Sequence, residues 1–281
     1  MVAVDKLGVG ADMPAFKIAE ADLDVLANTP VNSEYRHLVL RAPTALLASC
    51  RAGQFFHLLC PDLGGQHPYL RRPMSIYGYY PERGELHFLY KVTGRGTRTL
   101  AQLVPGDTLG VVGPLGMPFV IEDRWSNLVL VARGVGLATL APLALEAQRR
   151  GKRLTAICSA RHPDYLMSID MFRAMGTDVV ALTDSEGTSA PENLRAILER
   201  LAAGAAVDVF YTCGSNRMLR VVQQVARDHG IPGQIALEQQ MACGLGMCHC
   251  CVRPFRRGGS VANLRVCREG PVFDIEEAIA W

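Results

Sequence analysis

The sequence predicts a β-barrel followed by an α/β domain: an antiparallel barrel, a parallel-sheet domain, and a cysteine-rich C-terminal tail. Three observations carry this. Between about Tyr35 and Phe119, apolar residues come in short runs broken by Gly and Pro, the pattern of a small closed antiparallel sheet. From Leu128 onward, continuous apolar runs alternate with helical stretches, as in strands buried on both faces and joined by crossover helices. Five of the nine cysteines lie between Cys243 and Cys267. At roughly 150 residues per domain, 281 residues suit about two domains and the tail. The expected divisions are 1–123, 124–233 and 234–281.

Taken in order, residues 37–40, 54–59, 75–78 and 85–90 read as barrel strands. A short helix is expected at 97–103, behind Gly94 and Gly96. The second domain opens with a strand at 128–132, then Gly134-Val135-Gly136 and a helix running to Arg150. Strands at 154–158, 179–182 and 207–211 follow, with a helix at 191–201 before the last of them. A further helix, Asn216–His229, stops at Gly230 and Pro232, residues that cannot continue a helix cheaply. The tail reads as irregular and Gly-rich.

Composition narrows the function. Lys and Arg total 29 against 27 acidic residues, a net charge of +2, and no basic patch is interleaved with aromatics. Nucleic acid is therefore not an expected partner. The most apolar stretch, 128–145, is interrupted by Arg133, Gly134 and Gly136, whereas a membrane span needs about 20 mostly apolar residues. The opening Met1-Val2-Ala3-Val4-Asp5-Lys6 has no leader-like pattern, so a cytoplasmic location is expected. There, cysteines serve as metal ligands or reduced thiols rather than disulfides.

Cys243, Cys248 and Cys251 have the C-x4-C-x2-C spacing of a plant-type [2Fe–2S] centre, and Cys267 follows after 15 intervening residues as a distant fourth ligand. Four thiolates must converge on two irons, so the first loop has to turn tightly, which Gly244 and Gly246 permit. Zinc usually takes two C-x2-C pairs, and only Cys248 and Cys251 form one. A redox-active C-x-x-C normally sits near a βαβ start. Rieske chemistry needs two histidines on one iron, and only His249 is at hand. Cys250 falls outside the spacing and reads as a non-ligand thiol.

Upstream motifs are individually modest. Arg71, Arg72, Pro73, Met74 and Ser75 place guanidinium groups, which hold phosphates bidentately, beside a hydroxyl. Lys91, Val92, Thr93, Gly94, Arg95, Gly96 and Thr97 lead glycines into a helix start, where free N–H groups suit a pyrophosphate; a Gly-rich barrel turn is the plainer reading. Gly134 and Gly136 form a truncated phosphate loop. Cys213 ends a parallel strand, where ligands bind in such sheets, or is a buried core thiol.

In this order, Arg72-Pro73-Met74-Ser75, Lys91 to Thr97, Gly113-Pro114-Leu115-Gly116, Gly134-Val135-Gly136, Cys213-Gly214, the cysteine loop and Cys267 to Phe273 resemble the ferredoxin–NADP reductase superfamily. The nearest likeness is to its branch of type B dihydroorotate dehydrogenase electron-transfer subunits. The resemblance covers nearly all the chain after about residue 15. It implies FAD in the barrel, with Arg72 near the pyrophosphate, Ser75 near the flavin ring, and Gly96 and Thr97 on the phosphates through backbone and hydroxyl. It implies NAD(H) in the second domain, with Gly134 and Gly136 under its pyrophosphate and Cys213 beside the nicotinamide. Cys243, Cys248, Cys251 and Cys267 would hold the cluster. The implied partner is a barrel-fold catalytic subunit containing FMN, which oxidises dihydroorotate to orotate in pyrimidine biosynthesis. The chain departs from the pattern where Arg133 replaces a usual Gly, where Thr139 replaces a usual Pro, and at Arg256-Arg257-Gly258-Gly259.

The expected activity is therefore that of an NAD-linked flavin and iron–sulfur oxidoreductase component. Flavin bridges hydride and single-electron chemistry, and no side-chain general acid or base is expected. The alternatives are an NADH-dependent reductase serving an oxygenase, hydrogenase or other reductive enzyme, and a metal-dependent binding module without turnover.

Overall fold

The computed structural model describes residues 17–63, 65 and 67–280; the leader expectation concerns residues outside these. The first unit is built from β1 (Ala19–Pro30), β2 (Tyr35–Arg41), α1 (Thr44–Ser49), β3 (Phe55–Leu58), β4 (Arg72–Ser75), β5 (Gly78–Tyr80), β6 (Glu85–Lys91), α2 (Arg95–Leu100) and β7 (Thr108–Leu115). Its seven strands form one antiparallel sheet in the order β4-β3-β7-β1-β2-β6-β5. The two edge strands are joined by Ile76 and Tyr77 alone, a link that spans at most about 11 Å. The sheet must therefore curl until its edges approach, which gives the expected barrel. Leu38, Leu40, Phe56, Leu58, Phe88 and Val111 fill its interior.

Three barrel expectations change. Residues 75–78 are not one strand: Ser75 closes β4 and Gly78 opens β5, because the chain there passes from one sheet edge to the other. The helix covers Arg95–Leu100 rather than 97–103. Asn28 donates to the carbonyls of Leu100 (2.8 Å) and Leu103 (3.0 Å), which ends the helix on a side-chain donor from β1. The central strand β1 itself was not anticipated, because its alternation of Ala with Glu and Asp is weak in β-propensity.

The second unit contains β8 (Asn127–Arg133), α3 (Gly136–Arg149), β9 (Arg153–Ala160), α4 (Ile169–Ala174), β10 (Asp178–Thr183), α5 (Pro191–Ala203), β11 (Val209–Cys213), α6 (Asn216–His229) and β12 (Gly233–Ala236). Beyond it come β13 (Val252–Arg257), β14 (Ser260–Arg265) and β15 (Val272–Asp274). The sheet order is β10-β9-β8-β11-β12-β15, parallel except for β15. On β8, Leu128 and Leu130 face α3 and α4, while Val129 and Val131 face α5 and α6. Burial on both faces explains the continuous apolar run. The strand expected at 207–211 is β11, which begins at Val209, because the Asp208 carboxylate turns back to accept the N–H groups of Ser126 and Asn127, each at 2.7 Å.

The tail is more regular than expected. A boundary at 234 runs through β12, and β15 joins the edge of the α/β sheet. The departure at Arg256 to Gly259 is a hairpin: Gly258 (φ 59°) and Gly259 (φ 81°) connect β13 to β14. Two positive φ values in a two-residue loop match the twist of antiparallel strands.

Candidate functional site

A cavity of about 820 Å3 opens where the barrel meets the α/β domain, within the range of cofactor sites. Arg72, Pro73, Met74 and Ser75 on β4 form part of its barrel wall, with Lys91, Thr93 and Thr97 nearby; Val92 does not line it. Facing them are Val135, just before α3, and Leu237 to Met241, just after β12.

Arg72 and Gly96 are set side by side. A Cβ on Gly96 would stand 2.8 Å from Arg72 Nε, so only glycine lets the guanidinium lie against the start of α2. Arg71 is committed elsewhere: it pairs with Glu20 (2.6 Å) and donates to the Gly110 carbonyl (3.2 Å). Arg72 donates to the Leu70 carbonyl, which leaves most of its five N–H groups for a ligand in the cavity it lines. The Thr97 hydroxyl accepts from the N–H groups of Thr93 (2.9 Å) and Gly94 (3.1 Å) and donates to the Gly94 carbonyl (3.2 Å). It shapes the helix start rather than standing free for a phosphate.

Lys91 reaches out of the barrel to Glu34 at 2.6 Å, and Glu34 also takes Arg161 of the α/β domain at 2.6 Å. The hydrogen bonds from Lys91 and then Arg161 hold its carboxyl below the usual carboxylate range. Tyr35 and Leu89 pack with Ala138 and Met167 across the same seam. These contacts fix the two cavity walls relative to each other.

On the α/β side, Gly134 has φ 58° and donates to the Ser159 carbonyl at 2.9 Å. Gly136 opens α3 so close to β11 that an added Cβ would meet the Cys213 carbonyl oxygen at 2.2 Å. Gly136 thus serves helix–strand packing. Cys213 is buried, 2% exposed, and does not line the cavity; burial pushes its thiol up to about 12. Arg133 turns away from the glycine loop, donating to Ser159 Oγ (2.8 Å) and Asp184 (2.5 Å). Thr139, at the usual Pro position, is buried inside α3.

Sequence reasoning missed Glu238. Its side chain lines the cavity and is exposed to it, it makes no hydrogen bond or ion pair among the described residues, and desolvation by the surrounding protein atoms raises its pKa. The available signal was slight: Glu238 is the one carboxylate between β12 and Cys243.

The four spaced cysteines come together in two pairs. Burial disfavours the Cys243 thiolate, but the Cys248, Leu245 and Met247 N–H groups outweigh it and bring its pKa down to about 6, with the Cys248 side chain in contact. The Leu245 N–H points at Cys243 Sγ at 3.4 Å. Cys251 and Cys267 form the second pair, with the Cys267 N–H on Cys251 Sγ at 3.4 Å. Among the described residues no three His, Cys, Asp or Glu side chains converge on one ion; a two-iron cluster distributes its four thiolates over two metals, and pairs suit it. Gly244 (φ 70°) and Gly246 (φ 83°) give the loop its turn. Arg265, held by Glu269, donates to the Gly246 carbonyl at 2.8 Å. Cys250 is exposed, near the Gln240 carbonyl. The donor sets thus fit both groups: guanidinium and hydroxyl in the cavity for a flavin dinucleotide, thiols and N–H groups in the tail for an iron–sulfur cluster.

Residues 238–279 match the model of the iron–sulfur cluster binding domain of dihydroorotate dehydrogenase B. The chain is 32% identical over 221 residues to a dihydroorotate dehydrogenase B (NAD(+)) electron transfer subunit from Desulforamulus reducens, covering 79% of this chain and 84% of that one. A Streptococcus pneumoniae subunit of the same name is 31% identical, covering 89% and 97%. Among solved structures, a chain of an NADH-dependent reduced ferredoxin–NADP oxidoreductase superposes with a TM-score of 0.76 at 27% identity, covering 92% and 90%. No helix among the described residues is long and apolar enough to cross a membrane.

Proposed function

Since the chain belongs to the family of dihydroorotate dehydrogenase B electron transfer subunits, we propose that it carries electrons between NAD(H) and an FMN-containing catalytic partner that oxidises dihydroorotate. The observation that carries this reading is the adjacency of two donor sets. The cavity wall ends at Met241 and the cysteine loop begins at Cys243. FAD, when bound, supplies hydride exchange with NAD and single-electron exchange with a [2Fe–2S] cluster, and the protein's work is positioning and electrostatics.

In this reading Arg72 neutralises the FAD pyrophosphate beside Gly96, and Ser75 offers its hydroxyl to the flavin ring. Pro73, Met74 and Thr93 shape the wall, Val92 packs behind it against the barrel core, Lys91 ties it to Glu34, and Thr97 sets the helix start. Gly134 and Gly136 let the nucleotide approach the sheet end near Cys213. Cys243, Cys248, Cys251 and Cys267 hold the cluster. The domain divisions 1–123, 124–233 and 234–281 describe these roles, with β12 and β15 shared, and the work is cytoplasmic.

Co-expression with an FMN-containing dihydroorotate dehydrogenase subunit tests the proposal. The expected result is a stable complex that reduces NAD+ when given dihydroorotate. A complex that oxidises another substrate and ignores dihydroorotate would favour the second reading, a reductase component for a different enzyme, to which the likeness to a ferredoxin–NADP oxidoreductase chain lends support.

A further inference from the structure

His57 is a buried titratable group with no role in the reading above. It lies on β3, on the same strand face as Phe55, whose ring centroid is 5.7 Å away. Phe56 and Leu58 belong to the barrel core, while Phe55 belongs to the second core, which also takes in Cys251 and Cys267 of the tail. The strand partner of His57 is Pro73 in the cavity wall. The imidazole thus stands between the cavity and the cysteine loop.

Two observations show what it faces. A Cβ on Gly244 would lie 2.8 Å from both Cε1 and Nε2 of the ring, so the imidazole edge rests on the loop backbone next to Cys243. His57 is 1% exposed, and its Nε2 has no hydrogen-bond partner among the described residues. A buried polar atom left unmatched is costly, and the few native cases call for a reason such as a bound group. Burial first, and Arg71 second, hold the ring pKa down to about 4, so the ring is neutral and carries one N–H.

We propose that His57 is a positioning residue for the iron–sulfur group, its Nε2–H donating a hydrogen bond to a sulfur of the cysteine loop on the side facing the flavin cavity. The inference rests on the cysteine-ligand reading and deepens it. A donor at a cluster sulfur favours the more negative, reduced state, so it raises the reduction potential.

The test uses full-length holoprotein, purified anaerobically and labelled with 15N-histidine. Pulsed EPR of the reduced protein should show one nitrogen coupling and an exchangeable proton at the cluster. His57→Phe retains a buried ring without the N–H. It should lose both couplings and make the cluster about tenfold harder to reduce, a shift of about 59 mV for one electron, with the flavin bands unchanged. His57→Gln, which restores an N–H, should recover part of the shift. A wild-type spectrum without the nitrogen coupling, or a His57→Phe potential equal to wild type, overturns the proposal. If His57→Phe does not load the cluster, the wild-type spectrum decides alone. A normal two-iron signal insensitive to His57 sinks this inference only; no two-iron signal at all sinks the ligand assignment with it.

Discussion

Gly136→Ala tests how tightly α3 is pressed onto the end of β11. The new Cβ would stand 2.2 Å from the Cys213 carbonyl oxygen and 2.8 Å from its carbon, far inside the ~3.5 Å of ordinary carbon contact. Both neighbours are backbone, on a strand paired to β8 and β12, so neither can rotate away. Overpacking of this kind costs about 1–3 kcal/mol, and overlap this deep belongs at the upper end. Ala gains about 1 kcal/mol over Gly within a helix, leaving a net loss of about 2 kcal/mol. At about 2–4 °C per kcal/mol for a chain of roughly this size, Tm should fall by about 4–8 °C. Circular dichroism melting of the holoprotein reads this directly, and NADH affinity should weaken as the crevice beside Gly134 shifts. Gly94→Ala is the control: φ there is −130°, and an added Cβ meets nothing within 4 Å, so its effect should stay within about 0.5 kcal/mol. A Gly136→Ala protein melting with wild type, or a Gly94→Ala protein losing as much, would refute the reasoning.

Asp208 is disfavoured as a charge by burial, but hydrogen bonds from Asn127 and Ser126 outweigh this and lower its pKa. Asp208→Asn should therefore cost about 1 kcal/mol in urea unfolding above the ordinary carboxylate range. That gap should close as pH falls through the depressed pKa, and a pH-independent gap would contradict the ionised role. In the tail hairpin, Gly259→Val forces a left-handed β-branched residue and should cost about 1–2 kcal/mol, seen as faster hydrogen exchange of the β13–β14 amides. Gly258→Asn should be close to neutral there, since Asn suits that turn. Cys250→Ser should retain full iron content, whereas Ser at Cys243, Cys248, Cys251 or Cys267 should each lower it; iron loss confined to the Cys250 variant would reverse the ligand assignment.

The sequence is most legible where one physical demand acts alone. Leu128 to Ala132 announces a strand because both faces are buried, and Asn216–His229 ends where Gly230, at φ 65°, can take a left-handed turn. The cysteine spacing is legible because it follows a metal-ligand pattern rather than a folding propensity. Legibility fails where tertiary pairing overrides local pattern. β1 is central in its sheet, yet Ala, Glu and Asp make up half of its 12 residues. β12 and β15 are four and three residues long, too short to show a period. Glu238 and His57 matter through what folds against them, and neither has a motif. Arg133 shows the converse. Its departure from the glycine pattern suggests crowding, but Ser159 and Asp184 draw the side chain aside.

The central claim is that Cys243, Cys248, Cys251 and Cys267 share two irons, and metal and sulfide analysis of anaerobically isolated protein tests it most directly. The expected composition is about two irons and two acid-labile sulfides per chain. Stoichiometric zinc without labile sulfide would contradict it.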